Sequence, residues 1–129
     1  MSLRSILGTF IGLVALLIAA SHAFASTYSL YWRFRWFDMP VHFLGGLFLG
    51  SAALWLITYE MPPSFRTHTN RFVVALIAAL LIGALWELFE YSVGITKGGS
   101  GYWLDTVQDF AMGGFGAGVA YLIFKRYVG

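Results

Sequence analysis

Read for hydropathy, the chain alternates long apolar runs with short polar breaks. Four runs, at residues 5–25, 40–59, 71–93 and 103–124, approach the roughly 20 residues a helix needs to cross a bilayer core. They predict an all-α protein, a bundle of four transmembrane helices forming a single domain over residues 1–129. The first break, STYSLYWRFRWFDM, is aromatic and basic, as expected of a segment at headgroup level. The second, EMPPSFRTHTN, carries Pro62 and Pro63, cannot continue a helix and reads as an exposed loop. The third, ITKGGSGYW, is a short glycine-rich turn.

The first run has two readings. MSLR, an apolar core and the A-x-A ending in SHAFAS also fit a cleavable signal peptide. The run is nonetheless long enough to span, and the orientation of the remainder is the same either way.

Composition places the chain in the membrane. Of 129 residues, 59% are hydrophobic and only 11% charged, too little polar surface for a soluble domain of this size. The absence of cysteine excludes disulfides, thiolate metal sites and cysteine nucleophiles. The formal charge of +2, spread over helix ends, gives no nucleic-acid footprint.

Charge then sets orientation. With the N-terminus inside, Arg4, Arg66, Arg71, Lys125 and Arg126 fall on the cytoplasmic side and Arg33, Arg35 and Lys97 outside, a modest positive-inside bias. The predicted address is a bacterial inner membrane, crossed several times, with both termini cytoplasmic. The acids are more telling. In a four-helix hairpin topology Asp38, Glu87, Glu90, Asp105 and Asp109 collect at the outer end with His42, and Glu60 alone goes to the other.

Spacing sharpens this cluster. Asp38 and His42 are four residues apart, Glu87 and Glu90 three, Asp105 and Asp109 four, so each pair shares one face of its helix. Glycines continue the same faces: Gly46 and Gly50 follow His42, Gly83 precedes Glu87, and Gly113 follows Asp109. Gly46/Gly50, Gly114/Gly118 and Gly8/Gly12 have the spacing of closely approaching membrane helices. The polar faces are therefore expected to point into the bundle.

Carboxylates at membrane depth cost several kcal/mol unless paired, hydrated or coordinated. Shared protons, a cation, Arg33, Arg35 or Lys97, or a divalent metal would each offset that cost. Carboxylate and imidazole donors suit Zn, Mn, Fe or Mg, and helical bundles hold such ions between facing helices. A bound metal would permit Lewis-acid or metal-hydroxide chemistry on a phosphate or ester. Plainer readings stand beside this one. Asp38 can cap a helix before Pro40, Asp105 can favour a helix N-terminal dipole, and His42 can be a hydrogen-bonded structural residue. Glu87 and Glu90 can lie at an exposed helix end, although the dipole disfavours acids there. All can belong to an ion-pair network with Arg33, Arg35 and Lys97. His22 and His68 read as interfacial and loop residues. Trp86, Tyr91, Tyr102 and Trp103 fit an aromatic belt.

The order D-M-P-V-H-F-L-G-G, G-A-L-W-E-L-F-E-Y and D-T-V-Q-D-F-A-M-G-G-F-G-A-G resembles the VanZ-like superfamily of small bacterial membrane proteins, and most closely its YjdF-type inner-membrane branch. The resemblance covers residues 37–121. The VanZ pattern has Glu followed by Gln, and Asp followed by Asn, where this chain has Glu87 and Glu90, and Asp105 and Asp109; the YjdF-type pattern accommodates both pairs. The resemblance implies a multi-spanning envelope protein with motif positions at Asp38, His42, Glu87, Glu90, Asp105 and Asp109. It supplies no activity.

The leading expectation is a divalent-metal or cation site near the outer face built from Glu87, Glu90, Asp105, Asp109 and His42. Asp38 would orient His42 or complete the shell, while Lys97, Arg33 and Arg35 support the site by attracting an anionic head group. Gly46, Gly50, Gly83, Gly113, Gly114 and Gly118 are the expected helix-packing positions. Its partners would be the lipid bilayer and a lipid or lipid-linked substrate. Two alternatives stay open: a small proton- or cation-coupled transporter or binding protein, favouring a homo-oligomer, and a non-catalytic assembly protein.

Overall fold

The computed structural model describes residues 1–94 and 101–128, the side chains of Arg35, Thr67 and His68 excepted. Its first helix, α1 (Leu3–Thr27), starts where the Ser2 hydroxyl accepts the Ser5 N–H at 3.2 Å. The headgroup segment is not one element. It holds a single helical turn, α2 (Leu30–Arg33), and one 3-10 turn (Arg35–Phe37). Ser29, in the left-handed region at φ 56°, and the extended Phe34 separate them from each other and from α1.

The next span, α3 (Asp38–Tyr59), begins before Pro40. Proline is tolerated in a first turn, where its missing N–H would have no intrahelical partner. Phe37 occupies the cap position and no side chain caps the helix, so the Asp38 carboxylate is not spent as an N-cap. The break after α3 was expected to be an exposed loop, but it contains a short helix, α4 (Pro63–His68). Pro63 sits at its start, where the ring pre-sets the helical φ. The third span, α5 (Arg71–Val93), is capped by Asn70, which accepts from the Phe72 and Val73 N–H groups at 3.1 and 3.2 Å. It ends at Gly94, whose φ of 75° favours glycine. The last span is α6 (Tyr102–Val128).

α1, α3, α5 and α6 are the four helices long and apolar enough to cross a membrane, and no strand occurs among the described residues. Large apolar side chains face outward along them, among them Leu13, Leu16, Ile77, Leu81, Phe115 and Leu122. In a bilayer these contact lipid rather than water.

α3 is the hub, packed against α1, α5 and α6, while α5 and α6 also pack on each other. The core combines Leu7 and Val14 of α1, Leu47 and Leu54 of α3, Ala75 and Ala79 of α5, and Ala117, Ala120 and Phe124 of α6. Its tightest line is the α3–α6 seam. A Cβ added at Gly46 would stand 1.9 Å from the Gly113 carbonyl oxygen, and one at Gly116 would stand 2.1 Å from the Phe43 carbonyl oxygen. One turn on, a Cβ at Gly50 would come within 3.0 Å of the Ala117 Cα. Backbone meets backbone here, as small residues permit in membrane helices. Elsewhere the glycines are looser. A Cβ at Gly83, Gly113 or Gly114 meets only ordinary contacts at 3.5–4.0 Å, and one at Gly12 or Gly118 meets nothing within 4 Å.

The opposite ends of α1 and α3 are tied together. Arg4 pairs with Glu60, its guanidinium lies over the Trp55 ring at 5.2 Å, and Trp55 Nε1 donates to the Arg4 carbonyl at 3.2 Å. Leu7 and Val14 are buried in the same interface.

Gly46→Leu is expected to force α3 and α6 apart and cost about 3 kcal/mol, because the obstructing atoms are backbone and cannot rotate away. Gly118→Ala should stay within about 0.5 kcal/mol of the parent. Unfolding of the detergent-solubilised protein, followed by circular dichroism, checks the pair; equal stability of both variants contradicts the seam.

Candidate functional site

Small residues lead three helices to one end of the bundle. On α3, Gly50, Gly46, His42 and Asp38 follow at one-turn intervals; on α5, Ala75, Ala79, Gly83 and Glu87 do the same. On α6, Ala120, Gly116, Gly113, Asp109 and Thr106 alternate steps of four and three, the spacing of a face turned toward a partner helix. Each row is narrow where helices must approach and polar where they end.

At that end His42 Nε2 lies 3.6 Å from Asp38 Oδ1 and 3.7 Å from Asp109 Oδ1. Both distances are longer than a good N–H···O hydrogen bond. They suit ligands sharing a small ion: atoms 2.0–2.2 Å from a tetrahedral centre stand about 3.4 Å from each other. One donor atom each from Asp38, His42 and Asp109 falls within 4.8 Å of the others. Among the described residues this is the group of acidic and histidine side chains with metal-ligand spacing.

Two carboxylates there are nearly shut off from solvent, Asp109 at 7% and Glu87 at 8% exposure. Glu87 Oε2 accepts the Thr106 hydroxyl at 3.1 Å, while its buried Oε1 has no hydrogen-bond partner among the described residues. Glu87 stands within electrostatic range of His42 and Asp109 but outside the three-donor group. A buried carboxylate oxygen left in this state is costly, and a proton, water or cation would offset that cost.

The other expected ligands stand further out. Glu90 is half-buried and within electrostatic range of Glu87, Asp38 and His42 without joining the three donors. Asp105, in the first turn of α6, lines an open pocket together with Arg33. Neither Arg33 nor Asp105 forms an ion pair among the described residues, where the Arg or Lys pairing with a carboxylate is Arg4 with Glu60. The Arg35 side chain and Lys97 lie outside the described residues.

Two neighbours were not singled out in the sequence. Thr106 was legible as the step before Asp109 in the four-three spacing of α6. Tyr31 had no signal among so many interfacial aromatics; its hydroxyl meets His22 Nδ1 at 3.0 Å. Burial, then the Asp38 and Glu90 carboxylates, push the Tyr31 phenol above its usual pKa. Trp86, Tyr91 and Trp103 are exposed around the same end, as an aromatic belt would be.

A family model described as "Predicted membrane protein (DUF2238)" matches residues 1–129. No curated protein and no solved structure matches the chain.

Thr106→Val removes the donor to Glu87 and is expected to destabilise the protein by about 1–2 kcal/mol, with Thr106→Ser restoring most of it. Detergent-phase thermal unfolding of the two variants reads this; a valine variant as stable as the serine one contradicts the contact.

Proposed function

The chain belongs to the DUF2238 family of predicted membrane proteins, and from that premise we propose that it carries a divalent-metal centre on Asp38, His42 and Asp109. In this reading residues 1–129 work as one transmembrane domain in a bacterial inner membrane, with the centre near the outer face. The basic residues support that orientation, since Arg4, Arg66, Arg71, Lys125 and Arg126 sit at the opposite helix ends. The motif order around the three donors supports placing the family beside the VanZ-like superfamily, at its YjdF-type branch.

The observation that carries the proposal is the spacing of the three donors, of which Asp109 is buried, His42 largely so and Asp38 about one third exposed. One imidazole with carboxylates suits Zn, Mn or Fe better than Mg, which prefers an all-oxygen shell with several waters. A divalent ion held there supplies Lewis-acid activation of a phosphate or ester oxygen, or of a water. Asp38 and Asp109 would balance the charge of such an ion, His42 would fix its position, and the unpartnered Glu87 Oε1 would be the acceptor for a proton released from a bound water. The substrate class that reaches this depth at the outer face is a lipid or lipid-linked ester or phosphodiester.

Purified protein is expected to retain a divalent metal measurable by inductively coupled plasma mass spectrometry. His42→Ala and Asp109→Asn should weaken metal affinity more than about 100-fold, beyond the 10–100-fold that a supporting partner commands. Affinity should also fall with acidification, because imidazole and carboxylates bind metal only when deprotonated. Folded protein that neither retains nor takes up metal contradicts the proposal. If Asp109→Asn then abolished a proton-coupled flux, the cation-transport alternative would replace it.

A further inference from the structure

At the same end of the bundle, α2, the 3-10 turn, the start of α3 and the first two turns of α6 line an open pocket. Arg33 and Asp105 both line it, yet they form no ion pair with each other or with any other described residue. The pocket therefore presents one positive and one negative group, each without a protein counter-charge among the described residues. Gln108 adds an amide, Phe34 and Trp36 add aromatic faces with ring centroids 6.0 Å apart, and Leu104 supplies apolar lining.

We propose that this pocket binds the head group of a zwitterionic, ammonium-bearing phospholipid. The phosphodiester meets Arg33, whose fork of donors matches phosphate oxygens, and the Gln108 amide. The ammonium meets the Asp105 carboxylate and the face of Trp36, because cations are attracted to indole rings. A purely anionic head group would satisfy Arg33 and leave Asp105 facing a like charge. A soluble cation would do the reverse. A ligand carrying both signs a few bonds apart matches both walls at once, and the exposed apolar side chains of Leu104, in the lining, and Val107, on the next turn of α6, suit acyl chains beside it.

Position connects the pocket to the centre. Asp105 lies one helical turn before Asp109, and Gln108 is its chain neighbour. The Asp105 carboxylate that lines the pocket acts electrostatically on Asp109, so a head group seated there lies one helical turn along α6 from the three donors. The binding claim stands on the pocket alone; the step from binding to chemistry rests on the metal reading above.

The test titrates the detergent-solubilised full chain with dioleoyl phosphatidylethanolamine, phosphatidylcholine and phosphatidylglycerol, with bound lipid read by native mass spectrometry. Every titration is repeated in EDTA, so a failed metal centre does not obscure the lipid result. Ethanolamine and choline lipids should bind about tenfold more tightly than the glycerol lipid. Asp105→Asn should remove that preference, and Arg33→Gln should weaken all three. Trp36→Ala, on an exposed side chain, checks the ammonium contact independently of α6 folding and should reduce the preference. Equal binding of the three lipids by the parent protein overturns the proposal, as does a preference unchanged in both Asp105→Asn and Trp36→Ala. Free phosphoethanolamine competing as well as the lipid overturns the assignment to a membrane lipid.

Discussion

The backbone contact between α3 at Gly46 and α6 at Gly113 is the constraint on which the site depends. With no room for a Cβ at Gly46 or Gly116, the two helices cross at the distance of their own peptide groups. His42 lies one turn from Gly46, and Asp109 one turn from Gly113. The imidazole of one helix and the carboxylate of the other are therefore held 3.7 Å apart by a contact that involves neither. Larger residues would have bought more dispersion energy within the seam. They would also have moved the donors apart, which explains small residues where a membrane core otherwise favours bulk.

The same geometry answers the charge problem differently at the two ends. Glu60 is neutralised by Arg4 at a rim where both side chains are substantially exposed. Asp38, Asp109 and Glu87 are given a histidine, a threonine hydroxyl and no Arg or Lys partner among the described residues. The acids are thus sorted by depth. Asp38 and Asp109 converge on His42, Glu87 waits beside them with one unpartnered oxygen, and Asp105 turns to a pocket facing the headgroups. A structure whose sole task was to lock helices together would be served by pairing such charges or by replacing them with apolar side chains.

Much of this was legible in the chain. Four apolar runs of spanning length give the number of membrane-length helices, and hairpin topology alone delivers the acids of α3, α5 and α6 to one end. The row Asp38, His42, Gly46 and Gly50 was readable because one-turn spacing superposes side chains on a helix face. Gly116 was hidden by its neighbours: in FAMGGFGAG several glycines offer packing positions, and spacing picked out Gly114 and Gly118 rather than the glycine whose Cβ would strike the Phe43 carbonyl. The crossing point of two helices decides that choice, and one sequence does not record it. The division of five acids into a three-donor group and its neighbours was hidden for a related reason. Pairs on one face share a direction but not a depth, and where α5 and α6 lie along the bundle axis decides that Glu87 rather than Glu90, and Asp109 rather than Asp105, is buried.

The most direct measurement is X-ray absorption at the zinc edge of the zinc-loaded protein in detergent. Three donors from Asp38, His42 and Asp109 predict a first shell of nitrogen and oxygen at about 2.0–2.1 Å. They also predict outer-shell scattering from a single imidazole, and that scattering should vanish in His42→Gln. A shell of oxygen alone, or imidazole scattering that survives His42→Gln, would contradict a metal centre built on the α3–α6 seam.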